Sequence, residues 1–557
     1  MSAEPATRGR ADPQATLSAW YRWAPLAVVA VTCALPLRGL WRAPGPPMEE
    51  GFMLVFPELV FEGLVPNRDF LHLYGPGSLW VLGAAYKVLG TSLAVERSIG
   101  FLQQLGVAFS VFALLRPWGR WVGAAGGAMA AVVLLPPAGL TALAWVGAIA
   151  LGLWALHAGC SGRPALAGVL AGLALLYRLD LVVAIGLAGI VIVRALDRHD
   201  RRRLLAGFAA GLSPYVAHLA MAGPATALHG LVIEPVFDLR GGRRLPLPPS
   251  WSDYDGFLQR AGRLGELHWP LPSPPGPPQL GLWLALIVAA VAVLLVAGRA
   301  AARAGDHRLL AMAAFSAGVL PQALQRADST HLAWVSCVAF GLLPAGVVEL
   351  LRRHATSWPS SRRTAMAMLS APVLALVLVP YFTWRDYGDG VAQTFGVHRQ
   401  SHAIRHDGRL FYYGRADAVA AIDQLLVAID GVAEPGDRLF VGTGDLRKTP
   451  YSEAFLYYLL PDLVPATRYI EMDPGVANAD DSGLAEELAS ADLVVLSSVR
   501  DDWDEPNESR VIGSDEPNQI LARDFCQQGS FGEGLFGRGL YVLYVRCSVP
   551  GTDAPNG

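Results

Sequence analysis

The first 384 residues alternate between long apolar runs and short charged segments. Eleven of these runs are read as membrane-spanning helices, since a bilayer core takes about 20 residues of helix. They lie near residues 24–40, 94–115, 121–137, 140–158, 164–178, 179–196, 204–222, 280–297, 308–325, 331–351 and 364–383. Arg178 and Asp180 interrupt the 164–196 stretch, which leaves open one long helix or two short ones. The pattern predicts an α-helical polytopic membrane protein.

With the N-terminus inside, every second segment between the runs would face the cytoplasm, and each of these segments carries arginine. They are 116–120, 161–163, 194–203, 299–308 and 352–363. Cytoplasmic loops of membrane proteins are enriched in basic residues. We therefore expect the N-terminal tail (1–23) and these segments in the cytoplasm, with the chain in the plasma membrane. An odd number of spans places everything after residue 384 outside.

Beyond residue 384 the pattern changes to short strands that alternate with helices, as in a small α/β domain. Candidate strands are 438–441, 468–472, 493–496 and 540–545, and candidate helices are 415–430, 452–460, 483–490 and 518–527. The sequence thus predicts three parts. They are the cytoplasmic tail, a transmembrane domain at 24–384, and an extracytoplasmic C-terminal domain at 385–557.

Composition supports this division. The 557 residues are 53% hydrophobic and 16% charged, against about 25% charged in soluble domains. The C-terminal domain holds 28 acidic and 14 basic residues, so the membrane part is basic. No basic stripe with interleaved aromatics indicates a nucleic-acid partner, and membrane lipids are the expected surroundings. The cysteines lack metal-site spacing, but Cys526 and Cys547 should pair outside the cytoplasm.

Two outer loops are long enough to do more than connect spans. The first, 41–93, mixes charges with aromatics and prolines and should fold back onto a membrane-level cavity. Its polar residues of interest are Glu49, Glu50, Arg68, Asp69, His72 and Tyr74. Its apolar segment 77–90 is too short to span and predicts a helix lying along the membrane surface. The second, 223–279, carries Arg240, Arg243 and Arg244.

Further charges fall at the outer ends of spans. They are Arg97, the pair Arg178 and Asp180, and the group Arg326, Asp328 and His331. A charge inside the membrane costs about 2.5–3.5 kcal/mol, so such groups usually face a cavity. Arginine binds phosphate through two parallel hydrogen bonds, and a carboxylate can take a proton from a hydroxyl. A lipid-linked phosphosugar would need both groups beside apolar walls.

Each of these residues also has a structural reading. The acid pair could cap a helix, and Arg68 with Asp69 could be an ion pair that fixes the loop. Arg97 could extend from a helix end to the membrane surface. Arg178 and Asp180 could be a buried pair, while His72 and Tyr74 could be packing residues.

Four segments resemble the first outer loop of the GT-C superfamily, in the branch that holds protein mannosyltransferases and aminoarabinose transferases. They are Met48-Glu-Glu-Gly51, Gly63-Leu-Val-Pro-Asn-Arg-Asp-Phe70, Tyr74-Gly-Pro-Gly77 and Glu96-Arg97. The resemblance implies a glycosyltransferase that inverts the anomeric centre. Because no His, Cys and carboxylate set has metal-site spacing, we expect it to need no metal and no cofactor. Its donor would be a polyprenyl-phosphate sugar, and its acceptor an extracytoplasmic glycan, lipid or protein.

The resemblance also suggests roles for individual residues. Glu49 and Glu50 would be the catalytic acids, with Glu49 favoured as the base, although the family commonly has Asp-Glu at this place. From their positions at the outer ends of spans, Arg97 and Arg326 are the expected ligands of the leaving phosphate. The alternatives are a lipid-linked glycan transporter or flippase, and a non-catalytic envelope protein. A transporter predicts repeat symmetry and helices broken at mid-membrane, whereas here no repeat is apparent and the charges collect at one face.

Overall fold

The structure is a computed structural model that describes residues 13–239, 243–247, 277–378, 384, 386–397, 401–449, 452–501, 507–534 and 539–547. A helical part is followed by an α/β part. The α-helices of the first part are Pro13–Ala34, Leu37–Arg42, Pro47–Phe61, Gly77–Leu89, Leu93–Leu115, Arg120–Ala138, Ala144–Cys160, Pro164–Tyr177, Val182–Ala195, Arg198–Leu212, Pro214–Ala222, Pro224–Leu228, Pro277–Arg303, Arg308–Gly318, Leu320–Gln325, Ser329–His354, Ser360–Leu378 and Asp386–Thr394. Short 3-10 turns lie at Arg116–Trp118 and Leu179–Leu181, and a π-helix at His229–Asp238.

The apolar runs of the sequence fall on these helices. Within the described ranges, five helical stretches are long and apolar enough to cross a membrane, namely Arg22–Arg42, Leu93–Trp118, Arg198–Ala222, Leu280–Arg303 and Ser329–His354. The ambiguous 164–196 stretch consists of two helices separated by the turn Leu179–Leu181. Arg178 takes an extended conformation that ends the first of these helices. Its charge and that of Asp180 therefore lie at a helix break.

The helix Pro47–Phe61, here called the first-loop helix, is the central element of the first outer loop. Pro47 stands at its first position, where the missing N–H is not needed, and Glu49 and Glu50 lie in its first turn, where negative charge complements the helix dipole. Most of its residues are buried, because it is apolar on all sides and packs between the membrane helices and the C-terminal domain. The segment at 77–90 forms the helix Gly77–Leu89, and its location along the membrane surface stays a prediction.

The C-terminal domain contains an antiparallel hairpin and a mixed five-stranded sheet. The hairpin is β1 (His402–His406) with β2 (Arg409–Tyr413), and the sheet strands are β3 (Arg438–Thr443), β4 (Val464–Pro465), β5 (Leu493–Ser497), β6 (Phe525–Phe531) and β7 (Tyr541–Arg546). The sheet order is β4-β3-β5-β7-β6, with β3 parallel to β4 and β5, and β7 antiparallel to β5 and β6. The helices are Ala416–Asp430, Phe455–Leu459, Leu484–Ala489 and Glu516–Asp524, with a 3-10 turn at Glu508–Arg510.

Two predicted elements of this domain are wrong in part. The expected strand 468–472 is a loop, because its backbone leaves the sheet after β4 and the Arg468 carbonyl instead accepts a hydrogen bond from the Leu71 N–H. The expected helix 518–527 ends at Asp524, and β6 begins at Phe525. The expected disulfide between Cys526 and Cys547 is confirmed, with a Cα–Cα distance of 5.1 Å.

The first-loop helix lies in backbone contact with the C-terminal domain. A Cβ added to Gly51 would lie 2.5 Å from the Phe455 nitrogen, so only glycine allows this approach. At the other end of the helix, Glu58 forms an ion pair with Arg409 at 2.7 Å. The Arg409 guanidinium also donates to the Tyr458 carbonyl at 2.8 Å. The loop of the membrane part and the C-terminal domain are therefore packed as one unit.

We expect Gly51→Ala to destabilise the protein by about 1–3 kcal/mol, because the added methyl group must push backbone against backbone. Gly186→Ala is the matched control, since Gly186 also lies in a helix and its added Cβ would meet nothing within 4 Å. Alanine is the better helix former, so the control should be neutral or slightly stabilising. Thermal unfolding of both variants in one detergent measures the difference, and equal midpoints would contradict the close packing.

Candidate functional site

A cavity of about 460 Å³ lies where the ends of the membrane helices meet the C-terminal domain. Its walls come from the start of the first-loop helix, the turn after Tyr177, the segment 318–326 and the C-terminal loop 471–474. Its charged and polar lining residues include Glu49, Tyr74, Arg178, Asp180, Arg243, Gln322, Arg326, His331, Glu471 and Asp473. Trp145 and Trp334 stack at 5.8 Å between ring centroids and form an aromatic wall.

The adjacent acids of the first-loop helix lie in different environments. Glu49 is half-buried and lines the cavity. Glu50 is fully buried, because successive residues of a helix point about 100° apart. Both oxygens of Glu50 accept hydrogen bonds of 2.8 Å from Arg97, and Arg97 also donates to the Trp41 carbonyl at 2.6 Å. The ion pair fixes the start of the helix and does not line the cavity.

Arg178 is held flat against the cavity wall. Its guanidinium donates to Asp180 at 2.7 and 3.1 Å and lies 4.0 Å from the centre of the Tyr74 ring. Gln322 also donates a hydrogen bond to Asp180. Because the helix breaks at this point, the backbone presents both members of the pair to the same space.

Asp328 holds the cavity residues Arg326 and His331 in place. It caps the helix Ser329–His354 by accepting from the N–H groups of Thr330 and His331 at 3.0 and 2.9 Å. Its side chain also accepts from Arg326 Nε at 3.2 Å and lies 2.9 Å from His331 Nδ1. Arg326 donates in turn to the Arg243 carbonyl at 3.0 Å. Asp328 itself is fully buried, and it presents Arg326 and His331 to the cavity.

The C-terminal domain supplies two acids that the sequence analysis missed. Glu471 and Asp473 are each 2% exposed, and Arg243 lies between them at 3.4 and 3.1 Å. Burial, with the negative charges of Asp473 and Glu49, raises the pKa of Glu471 to about 8. Burial also raises the pKa of Asp473. The available signal was an acid pair at alternate positions just before Pro474-Gly475. Proline and glycine both favour turns, so this dipeptide predicts a loop at the acids.

The remaining predicted site residues are not part of the cavity lining or lie outside the described residues. Arg68 and Asp69 pair at 2.8 Å on an exposed turn, where Arg68 also donates to the Met221 carbonyl. His72 is buried among aromatic rings. Arg244 is exposed and not part of the lining, and Arg240 lies outside the described residues. No group of three or more His, Cys, Asp or Glu side chains in the described part is arranged to hold a metal ion.

Comparison with solved structures identifies the fold. ArnT from Cupriavidus metallidurans bound to undecaprenyl phosphate superposes with a TM-score of 0.52 at 16% identity, over 95% of this chain and 98% of that one. This protein has the GT-C fold. Its long apolar helices indicate a membrane-embedded protein.

Two further structures are less similar. ArnT from the same organism in the apo state gives a TM-score of 0.47 at 16% identity, over 94% of this chain and 98% of that one. The Archaeoglobus fulgidus oligosaccharyltransferase, in complex with Zn and sulfate, gives 0.43 at 12% identity, over 91% and 72%. No protein-family model and no curated protein sequence matches this chain.

The raised pKa of Glu471 predicts a pH-dependent stability. Its pKa is about 8 in the folded protein against an ordinary 4.5, so the folded state holds the proton more tightly between these values. The stabilisation is complete below about pH 4.5 and is lost as the pH rises through 8. Wild-type protein should therefore lose more thermal stability between pH 6 and 9 than Glu471→Gln, which stays neutral. The exposed Glu516→Gln is the control, and identical pH slopes for all three proteins would contradict the assignment.

Proposed function

We propose that the protein is a membrane glycosyltransferase that moves a sugar from a polyprenyl-phosphate donor to an acceptor outside the cytoplasm. One observation carries this proposal. Glu49 shares a single membrane-level cavity with three arginines, Arg178, Arg243 and Arg326. The GT-C fold supports it, and so does the fact that the similar ArnT structure is bound to undecaprenyl phosphate.

The arginines are suited to the phosphate of the donor. Arg178 is oriented by Asp180 and Tyr74, and Arg326 is oriented by Asp328. Guanidinium groups held in place in this way stabilise negative charge without reorganising during the reaction. We therefore assign the leaving phosphate to the space between Arg178 and Arg326, with Arg243 on its C-terminal-domain side.

Glu49 is suited to the acceptor. As general base it would take the proton of an acceptor hydroxyl while that oxygen attacks the anomeric carbon of the sugar. The bond from this carbon to the phosphate oxygen breaks, and the phosphate leaves with the electron pair. Attack opposite the leaving group gives inversion.

Glu50 and Arg97 receive a different role from the one that the sequence analysis favoured. Their buried ion pair suits positioning of the first-loop helix better than contact with substrate. We assign them as positioning residues that hold Glu49 in the cavity.

Apolar side chains suit the lipid part of the donor. Leu181, Val182 and Val183 line the cavity on one side, and Leu231 and Val236 on the other. Val182 and Val183 are 51% and 46% exposed on the outside of the helical part, where the hydrocarbon of a membrane would lie. A polyprenyl chain entering between these elements would keep its tail in the membrane and its phosphate among the arginines.

The proposal includes an orientation. The cavity and the C-terminal domain would lie outside the cytoplasm and the arginine-rich segment Arg198–Arg203 inside, in agreement with the distribution of basic residues. Mass spectrometry of the cell envelope of a deletion strain would identify the acceptor and the sugar, for which mannose is one candidate.

We expect Glu49→Gln to insert, to bind donor and to lose turnover by about 100-fold or more, the usual contribution of a positioned base. Glu62→Gln is the matched control, because Glu62 is exposed at the other end of the same helix. Transfer of radiolabelled sugar from a polyprenyl-phosphate donor, with purified protein, measures the loss.

Arg326→Lys should weaken donor binding, since lysine keeps the charge but loses the two-pronged geometry of the guanidinium.

Wild-type turnover in Glu49→Gln would remove the catalytic role of Glu49. The transporter and the non-catalytic envelope protein would then be the better accounts, because neither requires the charge of Glu49.

A further inference from the structure

The acids from the C-terminal domain are incompletely satisfied. Glu471 and Asp473 are each 2% exposed, yet Glu471 Oε2 and Asp473 Oδ2 have no hydrogen-bond partner among the described residues. A buried polar atom without a partner is costly and uncommon in a folded protein. Both side chains line the cavity, so a bound ligand could supply the missing hydrogen bonds.

Arg243 contacts only one of the two oxygens of each carboxyl group. Its guanidinium reaches Glu471 Oε1 at 3.4 Å and Asp473 Oδ1 at 3.1 Å. One oxygen of each carboxyl group therefore remains for another donor, while Arg243 holds both groups in orientation. An interaction that served only to tie the second outer loop to the C-terminal domain would not explain the two remaining oxygens.

The position of the pair narrows the class of ligand. Glu49, Glu471 and Asp473 line the same cavity, and the negative charge of Glu49 contributes to the raised pKa of Glu471. The acid pair therefore shares its cavity with the proposed base. Hydroxyl groups donate hydrogen bonds to carboxyl oxygens, and two neighbouring hydroxyls of a sugar ring match two neighbouring acceptors. A sugar carrying its own carboxylate could not donate to these oxygens through that group, and it would be repelled by whichever of the two acids is ionised.

We propose that Glu471 and Asp473 form the subsite for hydroxyl groups of the sugar that is transferred, and that they favour uncharged sugars over acidic ones. This inference rests on the proposed function. It makes the C-terminal domain a part of the sugar site, with Arg243 as the residue that positions both acids. The arginines on the membrane side bind the phosphate of the same donor.

Binding measurements on the full-length protein in detergent test the subsite. The probes are undecaprenyl phosphate alone and the same lipid phosphate carrying mannose, glucose or glucuronic acid. Wild-type protein should bind at least one of the two neutral-sugar lipids about tenfold more tightly than the bare lipid, and should bind the glucuronic acid lipid more weakly than that neutral-sugar lipid. Glu471→Gln and Asp473→Asn should each lose most of this preference and keep the affinity for the bare lipid. Glu516→Gln, exposed on the same domain, should behave as wild type.

The outcomes separate this inference from the proposed function. Failure of wild-type protein to bind undecaprenyl phosphate at all would count against the proposed function. If it binds the bare lipid but shows no preference for a neutral sugar, or if both variants keep that preference, the subsite is overturned and the function is not. An equal loss of affinity for every probe would indicate a structural role only. Either single variant suffices for the test if the other does not fold.

Discussion

Glu50 and Arg97 meet inside the protein with 0% and 2% of their side chains exposed, and two hydrogen bonds of 2.8 Å join them. Removing both charges from water is unfavourable, so such a pair persists only with good geometry and further hydrogen bonds. The Trp41 carbonyl supplies one of these. A Cβ on Gly45 would lie 2.1 Å from a Glu50 oxygen, so the chain leaves room for the carboxylate. This pair fixes the first-loop helix to the helix Leu93–Leu115, and the neighbouring Glu49 is thereby directed to the cavity.

The same helix links the membrane part to the C-terminal domain. Gly51 lies against the backbone at Phe455, and Glu58 pairs with Arg409. The C-terminal domain is thus held close enough for its loop 471–474 to form a wall of the cavity. Glu49 from the first loop, Arg326 from the membrane part and Glu471 from the C-terminal domain are brought to one place by packing and not by nearness in sequence.

The sequence was sufficient for features that depend on local composition. The apolar runs predicted helices, and Arg178 with Asp180 marked a real break between two of them. It could not decide between Glu49 and Glu50, because they are identical side chains on adjacent positions. Their difference depends on Arg97, which lies 47 residues further along the chain.

The errors in the C-terminal domain have similar causes. The segment 468–472 has the composition of a strand but leaves the sheet, because Arg468 makes a backbone hydrogen bond to Leu71 of the first loop. Glu471, which lies within this segment, was therefore assigned to a sheet and not to a site. The β1–β2 hairpin was missed although Asp407-Gly408, a frequent two-residue hairpin turn, stands at its centre.

The most direct test is a double-mutant cycle on Glu50→Gln and Arg97→Gln, with thermal stability and sugar transfer measured for each protein. If the pair only positions the helix, each single variant leaves one buried charge unpaired and should lose about 3–5 kcal/mol of stability. The double variant should then be more stable than either single one, and turnover should fall no further than in the singles. Additive losses of stability would show that the two residues do not act as a pair. A defect of Arg97→Gln confined to donor affinity would show that Arg97 binds the phosphate itself. Either result would contradict this account.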